Sequence, residues 1–227
     1  MVSIAGLHAL TAELHAGFLT LAFACIMIVV AAQIVVRLRD RMPKVLVRWA
    51  IMVRGYAEAT SYLAAAAGVL SLLASAWTGM YAWPMDKLLE SDIIKNKILL
   101  TAYATVLWGG VVFIRTRFGR GIWTCPAMTV VYVGITLVAF ALIAMAGCLG
   151  SVITRGESLL EPLYAFVGID IEKAFELQPS IAAGLALGSA GMLVGSLVLA
   201  RRKDLFEVEL TPETCQRFFK WDEPRIN

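Results

Sequence analysis

Charged residues are scarce in this sequence: Asp, Glu, Lys and Arg make up 16% of its 227 residues, whereas 59% are hydrophobic. Soluble domains are about half apolar and about a quarter charged, so this composition is typical of a membrane protein. Outside the long apolar segments there are only short connections and a terminal stretch, 201–227, which leaves no room for a separate soluble catalytic domain. The net charge of +3 comes from Lys and Arg gathered between apolar segments, which argues against a nucleic-acid partner.

Long apolar segments make up most of the sequence. A helix needs roughly 20 apolar residues, at about 1.5 Å each, to cross the hydrocarbon layer. Five segments without a charged residue reach or approach this length: 16–36, 59–85, 98–114, 122–154 and 177–200. We therefore predict an all-α fold, an integral membrane helical bundle with five transmembrane helices. The predicted parts are a four-helix transmembrane bundle, an outer interfacial loop, a fifth transmembrane helix and a cytoplasmic tail: 1–156, 157–176, 177–200 and 201–227.

The distribution of Lys and Arg predicts the orientation. The residues before the first apolar segment carry none, whereas the first loop and the tail carry six each. With the N-terminus outside, 15 of the 20 basic residues face the cytoplasm, as the positive-inside rule requires. Residues 1–15 lack the basic start of a cleaved signal peptide. We predict a multi-pass protein of the cell membrane with its N-terminus outside and its C-terminus in the cytoplasm.

The four cysteines do not form a metal-binding pattern. Cys25, Cys125, Cys148 and Cys215 are widely spaced, with no C-x-x-C pair, so zinc and iron–sulfur sites are not indicated. On the predicted topology only Cys148 lies near the oxidising side, so we expect no disulfide within the chain. The sequence also lacks a nucleotide-binding loop, G-x-S-x-G and H-E-x-x-H.

The predicted spans contain no Asp, Glu, Lys, Arg or His. Ion-coupled carriers and proton pumps place such groups inside the bundle, so these functions are disfavoured. Glu58 comes closest, just before the second span. We expect it to be an N-terminal carboxylate that interacts with the helix dipole rather than a buried functional acid.

The two histidines are the main candidate site residues. His8 and His15 are seven residues apart, about two helical turns, so their rings share one face of the first helix roughly 10 Å apart. One b-type haem would therefore take one of them, His15 being the deeper. Its second ligand would come from the outer end of another helix, and the candidates are Met80, Met145, Lys95 and Lys97.

Two other interpretations of the histidines stay open. If the start of the helix were frayed, His8, Glu13 and His15 would hold copper or another divalent ion. In the second interpretation, both histidines are polar residues at the membrane interface with ordinary hydrogen-bond partners.

Several short motifs resemble those of a prokaryotic family of uncharacterised four-helix membrane proteins that begins with L-H-P-x-x-V-H-F-P. The matching elements, spread in order over about residues 7–156, are Leu7-His8, Leu14-His15, Thr78-Gly79, Lys95-Asn96-Lys97 and the stretch 147–156. The resemblance implies a bundle similar to di-haem b-type cytochromes, with haem or quinone near the outer face.

The remaining segments predict docking surfaces. Loop 157–176 has apolar residues at near-helical spacing and is expected to lie along the outer surface, either as a lid over the histidines or as a simple crossover. The fifth span contains two G-x-x-x-G steps, typical of close helix packing. The tail exposes Phe218, Phe219 and Trp221, which indicates another protein's surface or the membrane interface.

Together these patterns predict an integral membrane subunit of a larger prokaryotic respiratory or redox complex. It would anchor other subunits of that complex and possess a haem b or quinone site for electron transport. The alternative is a structural accessory subunit without a cofactor. A free-standing enzyme has little support, and a non-catalytic or electron-transfer role is favoured.

Overall fold

A computed structural model describes residues 3–84 and 90–158, together with the single positions 162, 166, 173, 211, 213 and 215. The described chain is all-helical, without a strand. Its four long helices are α1 (Ile4–Arg37), α2 (Lys44–Ala82), α3 (Asp92–Phe118) and α4 (Pro126–Arg155). Short 3-10 turns, Arg39–Arg41 and Gly119–Trp123, lie between α1 and α2 and between α3 and α4.

Local sequence signals explain where several helices begin and end. The Ser3 side chain accepts a hydrogen bond from the Gly6 amide at 3.1 Å and caps α1. Pro126 occupies the first position of α4, where its missing N–H costs nothing. Gly156 ends α4 with a φ of 78°, a left-handed conformation that glycine adopts without a steric penalty.

Two helices begin much earlier than the charge-free segments. α1 starts at Ile4 rather than residue 16, and α2 starts at Lys44 rather than residue 59. Lys, Arg and Glu are good helix formers, so charge marks the edge of the hydrocarbon layer but does not end the helix. At 39 residues α2 is about 58 Å long, well beyond the roughly 30 Å hydrocarbon thickness.

All four helices are long and apolar enough to cross a membrane. Large apolar side chains cover their outer surface; Leu63, Leu70, Val106 and Val130 are each at least 67% exposed. Exposure of this kind on every helix suits contact with lipid. The described residues do not support the predicted count of five spans, because they contain four, and the predicted fifth span, 177–200, lies outside them.

The helices pack as two antiparallel pairs, α1 with α2 and α3 with α4, and contacts of α1 with α4 and of α2 with α3 join the pairs. The rings of Phe23 and Phe140 stack with centroids 3.9 Å apart and connect α1 to α4. Gly68 lets α2 approach α1 closely, because a Cβ there would clash with Leu19.

This arrangement creates two distinct ends. The "histidine end" comprises the start of α1, the end of α2, the start of α3 and the end of α4. The "arginine end" comprises the opposite helix ends together with the turn Gly119–Trp123.

Candidate functional site

At the histidine end, His8 bridges α1 and α2. Its Nδ1 lies 3.0 Å from the carbonyl oxygen of Ser75 and 3.4 Å from Oγ1 of Thr78. Since a carbonyl oxygen only accepts, Nδ1 carries the hydrogen and donates it. The ring packs against Gly79, where a Cβ would come within 3.0 Å of its Cε1. The glycine after Thr78 therefore makes room for the imidazole.

Two threonines continue this polar contact between α1 and α2. Thr11 donates to the backbone oxygens of Leu7 and His8 at 3.0 and 2.9 Å, and its Oγ1 lies 3.3 Å from that of Thr78. Thr78 in turn donates to the carbonyl of Ala74 at 2.8 Å. Each hydroxyl hydrogen is thus used within its own helix, and the hydrogen bond that connects α1 to α2 here is the one from His8 to Ser75.

His15 is oriented by its own helix. Its Nδ1 lies 3.2 Å from the carbonyl oxygen of Thr11, one turn earlier. The same donor argument places the hydrogen on Nδ1 and leaves a lone pair on Nε2 of the neutral ring. Histidines that bind metals are usually oriented in this way, with the other ring nitrogen donating to a backbone carbonyl or carboxylate. The half-buried His15 ring therefore has the tautomer that a ligand role requires.

Lys97 and Asn96 bring α3 to the same end. The Lys97 Nζ would lie 3.0 Å from a Cβ at Gly150, so the ammonium group packs over the end of α4. It is also near enough to His15 to interact with it electrostatically. Asn96 is buried and donates from Nδ2 to the carbonyl of Lys173 at 2.8 Å. One point of the predicted outer loop is thus fixed against the histidine end, whereas the rest of that loop lies largely outside the described residues.

The other candidate ligands differ in their surroundings. Lys95 is exposed and pairs with Asp92 at 2.8 Å. Met145 packs against the small apolar cluster around Leu100, and Met80 is 49% exposed near the end of α2. Lys97 thus lies close to His15, at the end of α3 that faces the histidine end.

The alternative metal site, formed by His8, Glu13 and His15, needs a frayed helix start. In the structure α1 is helical from Ile4, and Glu13 is exposed. Within the described residues, no three His, Cys, Asp or Glu side chains form a group able to hold a metal ion. The three-residue metal site stays a prediction that depends on a frayed helix start.

The arginine end contains a buried ion cluster that the sequence analysis missed. Glu58 lies 14 residues inside α2, with its side chain 5% exposed, and pairs with Arg115 and with Nε of Arg120, the latter at 3.0 Å. The expectation that Glu58 is a helix N-terminal carboxylate is wrong, because α2 begins at Lys44. The Arg115 guanidinium also lies 5.5 Å from the centre of the Tyr62 ring. The sequence does contain one signal for this cluster: Glu58 is a lone acid directly before a segment without charged residues.

A disulfide joins Cys125, immediately before α4, to Cys215 in the tail. The expectation of no disulfide within the chain is therefore wrong. It relied on the compartment predicted for this end, and a pair 90 residues apart carries no local signal in the sequence. Cys25 and Cys148 are free thiols.

Comparison of the chain with family models, with curated proteins and with solved structures finds no match. The resemblance to the four-helix membrane family stays a prediction.

Proposed function

We propose that this protein is an integral membrane subunit of a prokaryotic redox complex, with a b-type haem or a quinone bound at the histidine end. The observation that carries the proposal is the hydrogen bond from His15 Nδ1 to the backbone of Thr11. This hydrogen bond leaves Nε2 with an oriented lone pair, available to a metal ion, at the end of an apolar bundle. In this role the protein supplies a ligand, an orientation and a dry surround, and the cofactor carries the electron.

His15 is a better ligand than His8. The His8 ring is wedged against Gly79 and bonded across to α2, so turning it toward a cofactor would break the contact between the helices. The hydrogen bond of His15 stays within α1 and would survive ligand binding. We assign His8 to positioning the α1–α2 pair and His15 to the cofactor.

Lys97 suits either cofactor. Among the described residues no carboxylate pairs with its ammonium group, although Lys95, two residues earlier, is paired with Asp92. For haem, Lys97 is a candidate second axial ligand or a partner for a propionate. For a quinone, the Lys97 ammonium group would donate to an oxygen that becomes negative on reduction, and the lone pair on Nε2 of His15 would accept from a quinol hydroxyl.

The proposed place of the protein is the cell membrane, with the histidine end outside and the arginine end in the cytoplasm. The support is the excess of Lys and Arg in the loops and tail on the arginine side. The Cys125–Cys215 disulfide at the same end runs against this orientation, because disulfides are rare in the cytoplasm. The partners would be other subunits of the complex, with the lipid bilayer around the helices.

The second candidate function is a structural accessory subunit without a cofactor. The observation that favours it is that the donors of His8, Thr11 and Thr78 are already satisfied by backbone carbonyls, with His8 bonded across from α1 to α2. In such a subunit the residues of the histidine end would serve to pack α1 against α2.

An absorption spectrum of the protein purified from native membranes, together with quinone extraction, tests the proposal. For haem we expect a Soret band that His15→Ala abolishes and that Glu13→Ala, an exposed position on the same helix, leaves intact. For quinone we expect extractable isoprenoid quinone that the same variant loses. Loss of a bound metal in both variants would instead support the three-residue metal site. A colourless, quinone-free protein that still co-purifies with partner subunits would support the accessory role.

A further inference from the structure

A cleft opens on the arginine end beside the buried ion cluster. It has a volume of about 220 Å³, which is room for several groups the size of a water molecule, at about 30 Å³ each. Its lining residues are Ile51, Arg54, Gly55, Glu58, Arg120 and Trp123.

The cleft is positively charged. Glu58 is the one acid in its lining, and both its carboxylate oxygens are already bound by Arg115 and Arg120. Arg54 adds a third guanidinium, for which the described residues offer no carboxylate. Three positive groups therefore face one negative group. Arg120 uses Nε for Glu58 and is 76% exposed, which leaves its two terminal nitrogens available to a ligand.

A buried donor without an acceptor forms one wall. Trp123 is 3% exposed, and its indole Nε1 has no hydrogen-bond partner in the described part of the chain. The residue is held firmly, because its carbonyl accepts from Gln33 at 3.2 Å and its ring meets Tyr132 edge-on at 5.5 Å. The nitrogen itself is buried, so Trp123 gives the cleft a fixed aromatic wall and not a donor.

We propose that this cleft binds a phosphate group, and that the phosphate belongs to an anionic membrane lipid. A phosphate offers several acceptor oxygens and negative charge, which matches the guanidinium groups of Arg54 and Arg120. The cleft lies beyond the charge-free part of α2 and α3, where lipid headgroups meet a membrane protein. Exposed Ile51, beside Arg54, suits the start of an acyl chain. The proposal does not depend on the function of the histidine end.

Gly55 allows the cleft to be blocked without disturbing the fold. A Cβ at this position meets no atom within 4 Å, so Gly55→Leu fits the helix and places its side chain at the cleft. Gly17→Leu is a matched control, because that glycine on α1 also faces open space. Arg54→Ala removes a cleft charge, and Arg48→Ala removes an exposed charge from the same helix outside the cleft.

The experiment measures lipid binding to the full chain in detergent by native mass spectrometry, with phosphatidylglycerol, phosphatidylcholine and inorganic phosphate as probes. We expect phosphatidylglycerol to bind more tightly than phosphatidylcholine. Arg54→Ala and Gly55→Leu should each weaken it about tenfold, the effect of losing one charge-assisted contact. Both controls should bind like the wild type.

Binding of inorganic phosphate in competition with the lipid, with the same dependence on Arg54 and Gly55, would support the phosphate site and assign it to a soluble ligand. Equal binding of the two lipids, or an equal loss in Arg48→Ala and Arg54→Ala, would overturn the proposal. Wild-type binding by Gly55→Leu would also overturn it.

Discussion

Removing the Glu58 carboxylate should destabilise the bundle more than removing either of its partners. The Glu58 side chain is 5% exposed and the Arg115 side chain 14%, so Glu58→Ala leaves a largely buried guanidinium without a counter-charge. Breaking a buried ion pair from one side costs about 3–5 kcal/mol. Arg120 is 76% exposed, so Arg120→Ala gives up a solvated contact worth about 1 kcal/mol or less.

The free energy of unfolding can be measured by SDS titration in mixed micelles, followed by circular dichroism. The expected order of destabilisation is Glu58→Ala first, Arg115→Ala next and Arg120→Ala last. Arg115→Ala is intermediate because Arg120 still pairs with the carboxylate. Glu13→Ala, which removes an exposed carboxylate from α1, is the control and should change stability little.

A double variant makes this test sharper. Glu58→Met with Arg115→Met removes both charges and replaces them with apolar groups, which is often neutral or stabilising at a buried site. It should therefore recover most of the stability that Glu58→Ala loses. An equal loss in Glu58→Ala and Arg120→Ala, or no recovery in the double variant, would refute the argument that burial sets the cost.

Two further predictions concern contacts between distant parts of the chain. Gly79→Val should lower the free energy of unfolding by about 1–3 kcal/mol, because its side chain would meet the His8 ring, whereas Gly147→Val, with open space around it, should not lower it. Maleimide labelling of the denatured, unreduced protein should modify two thiols, and Cys215→Ser should raise that number to three by releasing Cys125. Four reactive thiols in the unreduced wild type would contradict the disulfide.

The membrane character of the fold could be predicted because hydropathy is a local property. The segment 98–114, for example, lies inside α3, and Lys97 and Arg115 mark its two sides. The helix ends could not be predicted in the same way, since the early turns of α2 are charged but still helical. Local composition reports the lipid boundary, whereas backbone hydrogen bonding sets the helix boundary.

The partners of the site residues depended on tertiary structure. The sequence placed Lys97 at the same end as His15, because short connections make neighbouring helices antiparallel. It gave no means of matching Glu58 with Arg115, 57 residues away, or of pairing Cys125 with Cys215. To predict such contacts one must know how each segment is rotated about its own axis relative to its neighbour. The composition of a nearly uniformly apolar helix does not encode that rotation.

The separation of the two ends restricts any chemistry at the histidine end. Between His15 and Arg37, α1 carries no ionisable group other than the buried thiol of Cys25, and this stretch is about 30 Å long. The other helices have no Asp, Glu, Lys, Arg or His in the corresponding stretches, so no side-chain relay for protons or ions crosses the described bundle. A haem or quinone bound at His15 would therefore exchange protons with one side of the membrane. If both proposals hold, cofactor chemistry would be confined to the histidine end, and the charged cluster at the arginine end would serve lipid contact instead.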